Sequence, residues 1–188
     1  MQAHQTGHHQ GNSTERLLKK DVILNALNIR SGQTILDVGC GNGYMTKEFA
    51  RLVNDTGQVY ALDWSSEAIE RLKRDALNAN IFPVHADITQ TTALADSSID
   101  LMYLSTVFHV FSDAQRETFQ HEARRLLKPE GILAIVEIEK KETPFGPPQN
   151  KRVSPEELSR IINMRPLSLV TVGEYFYMQL FTNAKTEE

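Results

Sequence analysis

The stretch Ile35–Tyr44 reads ILDVGCGNGY, an aliphatic run closed by three glycines at alternate positions. Gly39, Gly41 and Gly43 directly follow a strand-like segment and open a helix-like one. A strand-to-helix turn this tight needs positive φ angles and no Cβ, so that a ligand can approach the backbone. Amide groups at the start of a helix suit an anion such as a carboxylate or a phosphate. Twenty positions beyond Gly43, QVYALD (Gln58–Asp63) ends in a carboxylate, where an α/β fold holds both hydroxyls of a ribose. FPVHAD (Phe82–Asp87) ends in another, which can accept from the exocyclic amine of an adenine. Asp37, Asp63 and Asp87 are therefore expected at or beside the C-terminal edge of adjacent strands, where open α/β sheets bind ligands.

Outward from this segment, short β-rich runs alternate with helical spacing. TILDVG (Thr34–Gly39), QVYALD, FPVHAD, IDLMYLS (Ile99–Ser105) and GILAIVEIE (Gly131–Glu139) read as five strands, the first buried and the last suited to burial on both faces. Between them lie amphipathic stripes: Met45, Phe49, Leu52 and Val53, then Ile69, Leu72 and Ala76, then Phe119, Ala123, Leu126 and Leu127. Ser65 or Ser66 caps the second of these helices, and Pro129 with Gly131 stops the third. Leu18, Val22, Leu24 and Leu27 mark an earlier helix, and Ser154, Pro155 and Glu157 a capping-box start for one carrying Leu158, Ile161 and Ile162. LSLVTV (Leu167–Val172) and YFYMQLF (Tyr175–Phe181), parted by Gly173 and Glu174, demand an antiparallel hairpin. Five strands alternating with helices imply a parallel sheet with right-handed crossovers. The fold expected is thus α/β, Rossmann-like, a seven-stranded mixed sheet that is mostly parallel, with helices on both faces.

Composition narrows the function. The chain of 188 residues has a net charge of −4, is 40% hydrophobic and contains one cysteine. This suits a single globular domain and offers no general field for nucleic acid. No run approaches the roughly 18 apolar residues of a membrane span, and the polar start lacks the apolar core of a secretory signal. A lone thiol excludes a disulfide framework, so a cytoplasmic setting is expected. The glycine spacing argues against a nicotinamide dinucleotide, because Tyr44 stands where the third glycine of that fingerprint belongs. A phosphate-binding Walker loop is excluded, since no lysine-serine or lysine-threonine pair follows.

ILDVGCGNG resembles the first motif of class I S-adenosylmethionine-dependent methyltransferases, which carry G-x-G-x-G after an acidic residue in strand one. LSTVFHVF (Leu104–Phe111) looks like the strand-four motif of the small-molecule branch that includes the ubiquinone-biosynthesis type. LLKPEG (Leu126–Gly131) looks like that branch's link into strand five. The resemblance covers roughly Gln33 to Glu139. It implies S-adenosyl-L-methionine as cofactor, bound by Asp37, Gly39, Cys40, Gly41, Asn42, Gly43, Asp63, Trp64, Asp87, Ile88 and Ser105. Asp63 would take the ribose, Trp64 would pack on adenine, Asp87 and Ile88 would meet the adenine edge, and Ser105 would line the methionyl end.

Two function classes remain open. One is an enzyme that methylates a small-molecule acceptor; the other is a sensor or partner protein of the same fold that holds cofactor without turnover. Nothing resembles the motifs used on nucleic-acid bases, and no appended basic module suggests RNA. His109, after strand four, is the candidate catalytic residue, able to accept a proton from an acceptor hydroxyl or amine. Cys40 lacks a flanking base and reads as a small buried filler. Residues 1–32 form a tail and helix that can cover the active site, and 33–188 the methyltransferase domain. His4, His8 and His9 lack metal-site spacing, and no metal is expected. In the Thr143–Arg152 loop, Phe145 is the apolar contact of a substrate lid or of a plain connection. Lys140, Lys141, Lys151 and Arg152 read as solvated charge or as receivers of an acidic substrate.

Overall fold

Seven strands form one sheet in the computed structural model, which describes residues 14–75 and 79–184. The strands are β1 (Thr34–Val38), β2 (Gln58–Asp63), β3 (Ile81–His85), β4 (Ile99–Ser105), β5 (Leu127–Ile138), β6 (Arg165–Thr171) and β7 (Phe176–Thr182). Their spatial order is β3-β2-β1-β4-β5-β7-β6. The first five are parallel, and β7 inserts antiparallel between β5 and β6. Chain order reverses between β1 and β4, so a crevice opens outside their C-terminal ends, the position open α/β sheets use for ligands.

Five helices cover the two faces: α1 (Lys20–Leu27), α2 (Tyr44–Val53), α3 (Ser66–Asp75), α4 (Asp113–Leu126) and α5 (Pro155–Ile161). Period-two alternation sorts the strand residues between two cores. Ile35, Leu101, Tyr103, Ala134 and Val136 pack with Ile23, Phe49, Val53, Ile69 and Leu72 from α1–α3. Leu36, Met102, Leu104, Leu133 and Ile135 pack with Phe119, Ala123, Leu126 and Leu158 from α4 and α5. The expected mixed sheet with helices on both faces is the one observed.

Several boundaries differ from the sequence expectation. β3 ends at His85, so Asp87 lies beyond the strand, in a turn where its carboxylate accepts from the Thr89 N–H (2.8 Å) and hydroxyl (2.7 Å). Pro129 and Gly131 do not separate α4 from a later strand, because β5 begins at Leu127 and contains both. The ladder to β4 shifts register between Ile99 and Leu101, and Glu130 takes φ +66°. An irregularity of this kind lets a strand carry a proline that the regular ladder would reject. On α2 the buried face uses Thr46 and Ala50, whereas Leu52 is only half-buried. The hairpin connection spans Val172–Tyr175 rather than two residues. Ser65 caps α3, its hydroxyl accepting from the Ala68 N–H at 3.3 Å. Ala76, His4, His8 and His9 lie outside the described residues.

Candidate active site

The crevice is floored by the bend after β1. Gly39, Gly41 and Gly43 hold φ values of +70°, +53° and +77°, the left-handed region where a side chain is strained. A Cβ on Gly39 would stand 2.5 Å from a Val107 methyl, so this glycine lets the post-β4 segment close onto the bend. At Gly41 the nearest atom to such a Cβ is 4.0 Å away, leaving an open cradle.

The position of the bend at a helix start suggests amides free for an anion, yet five of the six from Gly39 to Tyr44 are already engaged within the protein. Gly39 N–H and Cys40 N–H donate to the Leu62 carbonyl, and Gly43 N–H to that of Cys40. Gly41 N–H donates to Asp63 (3.0 Å), and Tyr44 N–H to the Asn42 side chain (2.9 Å). These donors bind β1, the bend and β2 into one unit.

Asp63, at the end of β2, is almost completely buried. One carboxylate oxygen accepts from Gly41 and the other from the Ser65 N–H at 2.8 Å. Each oxygen keeps a lone pair for a further donor, so the pair can receive two neighbouring hydroxyls. Trp64 beside it is 78% exposed, an uncovered aromatic face available for stacking. Asp87 is exposed after β3, whereas the Ile88 side chain is buried in the core that also holds Phe119 and Ala123 of α4.

Asp37 is 3% exposed and accepts from the Thr46 hydroxyl at 2.5 Å. Burial, reinforced by the Asp63 charge, pushes its carboxyl up to about 7 despite the Thr46 bond. The Cys40 thiol is buried and pushed upward by that burial and by Asp37 and Asp63, so it stays protonated and is no nucleophile. Asp37, Cys40, Gly41, Asn42, Tyr103 and Ser105 are among the residues around a cavity of about 140 Å³. The buried Tyr103 hydroxyl there has no hydrogen-bond partner among the described residues. With the Ser105 side chain and the Asp37 carboxyl beside it, that hydroxyl gives the cavity a polar wall on which a polar ligand can seat. The cavity admits only one end of a molecule as long as S-adenosyl-L-methionine; the ledge at Asp63 and Trp64 is left for the remainder. The donor set fits that cofactor: acids for its cationic end, a carboxylate for its sugar and an aromatic face for its base.

A second, larger space, a trough of about 2020 Å³, has His109 on its wall. It is walled by the segment after β4, the loop after β5, α5 and the N-terminal Arg16 and Leu17. Leu18, the next residue, bridges to Gly173 and lines the small cavity with Lys20, so the N-terminal segment runs along both spaces. Six cationic side chains and two carboxylates line the trough. Arg116 pairs with Asp113 and Lys140 with Glu157. Arg16, Lys151 and Arg160 have no carboxylate partner among the described residues. Arg152 is not solvated. It is 6% exposed, and its guanidinium donates to the carbonyls of Glu139, Lys141, Phe145 and Pro147. Phe145 packs against Tyr175 and Phe176.

His109 lies in a short 3-10 turn at the trough wall. Its partner, Glu137 on β5, was missed by sequence reasoning because it reads as one more residue of a buried strand. Glu137 is fully buried; one of its oxygens accepts from the His109 backbone N–H (3.1 Å), and the other lies 2.7 Å from His109 Nδ1. A charged residue inside the run ILAIVEI was the available signal.

Residues 35–131, more than half of the chain, match a methyltransferase-domain family. An uncharacterized 37.1 kDa protein in a transposon of Streptomyces fradiae is 37% identical over 119 residues, 63% of this chain and 34% of that protein. The ubiquinone/menaquinone biosynthesis C-methyltransferase of Hydrogenovibrio crunogenus is 34% identical over 134 residues, 69% of this chain and 51% of the other. The chain thus spans between a third and about half the length of these curated relatives. A SAM-dependent methyltransferase from Aquifex aeolicus superposes with a TM-score of 0.83 at 26% identity, over 93% of this chain and 94% of that one. A putative type 11 methyltransferase from Sulfolobus solfataricus shares the fold at a TM-score of 0.77 and 21% identity, over 92% and 96% of the two chains. With the glycine bend and the acid at the end of β2 standing where the motifs require them, the chain belongs to the class I S-adenosyl-L-methionine-dependent methyltransferases.

Proposed function

We propose that this chain transfers a methyl group from S-adenosyl-L-methionine to a small-molecule acceptor seated in the trough. The observation that carries this reading is the Asp63 carboxylate, fixed from both sides by Gly41 and Ser65 and still able to accept two hydroxyls. Asp63 holds the ribose, Trp64 covers the adenine and Asp87 accepts from its amine. Asp37, Tyr103 and Ser105 meet the methionyl end, while Gly39, Cys40, Gly41, Asn42 and Gly43 shape the floor. The bound cofactor supplies an activated methyl group on a cationic sulfur. The protein's part is to hold the acceptor in line and exclude water, an orientation effect worth up to roughly 7–11 kcal/mol in favourable systems. The N-terminal segment, bridged to the hairpin, supports a role for residues 1–32 as a cover over domain 33–188.

A wide trough with an imidazole on its wall favours turnover over a sensor that only holds cofactor. The acceptor we infer is a metabolite rather than a nucleic acid, with an apolar part for Val110, Phe111 and Ile161 and a negative group for Arg16, Lys151 or Arg160. The lone, buried Cys40 suits a reducing, cytoplasmic setting. Calorimetric titration with S-adenosyl-L-methionine tests the reading. Asp63→Ala should weaken binding at least about tenfold, roughly 1.4 kcal/mol, by removing a charged acceptor of two hydrogen bonds. Equal affinity in the variant, or binding of NAD in place of the sulfonium, would refute it.

A further inference from the structure

His109 and Glu137 are 28 positions apart in sequence and meet only because β4 and β5 are adjacent in the sheet. Glu137 is a carboxylate with no exposed surface, and no Lys or Arg pairs with it among the described residues. Burying such a group is costly unless its oxygens are satisfied. Here one oxygen takes the His109 backbone N–H and the other sits 2.7 Å from Nδ1, a contact in which an ionised carboxylate can only accept. A backbone pin alone would need only the first. The second fixes the ring's tautomer: with the proton on Nδ1, Nε2 keeps its lone pair. Nε2 makes no hydrogen bond to the described residues, and the ring, 13% exposed, borders the trough.

We propose that His109 and Glu137 form a proton-accepting dyad, which makes the acceptor class a molecule whose reacting atom carries an exchangeable hydrogen, as a hydroxyl or amine does. This rests on the methyl-transfer reading above and deepens it. As the acceptor X–H approaches, Nε2 of His109 takes the proton, and the X–H electron pair forms the new X–CH3 bond. The pair of the breaking S–CH3 bond returns to sulfur, leaving a neutral thioether. The positive charge comes to rest on the imidazolium, where the buried Glu137 carboxylate offsets it until the proton passes to water. His109 is the catalytic residue of the pair. Glu137 acts through it and is a positioning residue.

The test uses the full chain without acceptor. Long-range proton–nitrogen spectra of histidine-labelled protein, taken where the ring is neutral, should show His109 protonated on Nδ1 with Nε2 bare, the reverse of the tautomer favoured by free histidine. Glu137→Gln, which keeps the shape, should lose that preference. Carbethoxylation of His109 by diethyl pyrocarbonate, followed by peptide mass spectrometry, should be rapid in the parent and several-fold slower in the variant, since the reagent attacks the bare nitrogen. A hydrogen on Nε2 in the parent, an inert His109, or identical behaviour of the two proteins would overturn the dyad. If Glu137→Gln fails to fold, the parent's tautomer and reactivity decide alone. Stabilisation of both proteins by S-adenosyl-L-methionine would continue to stand if the dyad failed, and its loss in the parent would instead remove the cofactor reading.

Discussion

Asp37 combines deep burial with a second carboxylate, Asp63, as a neighbour. Its folded value near 7 lies above the unfolded value of 3.8. A carboxyl raised in this direction contributes stability that is full below the unfolded value and lost as pH rises through the folded one. The cofactor-free protein should therefore lose stability between about pH 4 and 7, by at most about 1.4 kcal/mol per pH unit from this group. Asp37→Asn should flatten that slope in urea denaturation series at stepped pH. Cationic cofactor favours the ionised form, so affinity measured by calorimetry should rise through pH 7 in the parent and change less in Asp37→Asn. At this scale the sequence was informative where chemistry is local. Three alternating glycines announced positive φ, and Asp63 announced itself by its place at a strand end. The use of the Gly39, Cys40 and Gly41 amides was not legible, because their acceptors are Leu62 and Asp63, residues brought alongside only by β1–β2 pairing.

Among the elements, the connection from β5 to α5 is the one whose reading changed most. Thr143–Arg152 has the composition of an exposed loop, yet Arg152 gathers two of its carbonyls, Phe145 and Pro147, with those of Glu139 and Lys141 just before it, around one buried guanidinium. Those carbonyls face inward and would lack a donor if the arginine were removed. Arg152→Met, which keeps the length of the side chain, should cost about 2–4 kcal/mol in chemical denaturation and open the loop to protease. A loss under about 0.5 kcal/mol would mean that water replaces the guanidinium without penalty. The start of α5 follows local rules. Ser154 accepts from the Glu157 N–H at 3.2 Å, and Glu157 returns a bond to the Ser154 N–H at 2.9 Å, the reciprocal cap that the sequence pattern predicts. Ser154→Ala should cost about 1 kcal/mol by the same measurement. The contrast is physical: a cap is written in four consecutive residues, whereas a ring of carbonyls around an arginine requires the whole loop to be folded.

For the molecule as a whole, the sheet is stitched by interactions far apart in the chain. Glu122 on α4 is buried; burial raises its carboxyl, and bonds from Arg125 and Thr92 outweigh that and hold it below the usual range. Arg125 in turn donates to the Leu94 and Thr92 carbonyls and pairs with Asp96, tying the β3–β4 connection to α4. A ligand seated in the crevice as proposed would touch β1, β2, β4 and the N-terminal segment together, so its binding energy should appear as global stability. At a hundred times its dissociation constant, S-adenosyl-L-methionine should add about 2.7 kcal/mol and raise the melting temperature by about 5–10 °C, read by calorimetry. A rise confined to one local probe would mean that the crevice is uncoupled from the sheet.

By itself, the amino-acid order determined the alternation of strands and helices, the left-handed bend and the acid that answers it. These depend on apolar spacing, on the missing Cβ and on position at a strand end, all local properties. Only the tertiary structure decided which carboxylate meets His109, what occupies the amides of the bend and why Arg152 is inside. Each of those depends on which strand lies next to which, and hydrophobic periodicity specifies a buried face without naming the neighbour across it.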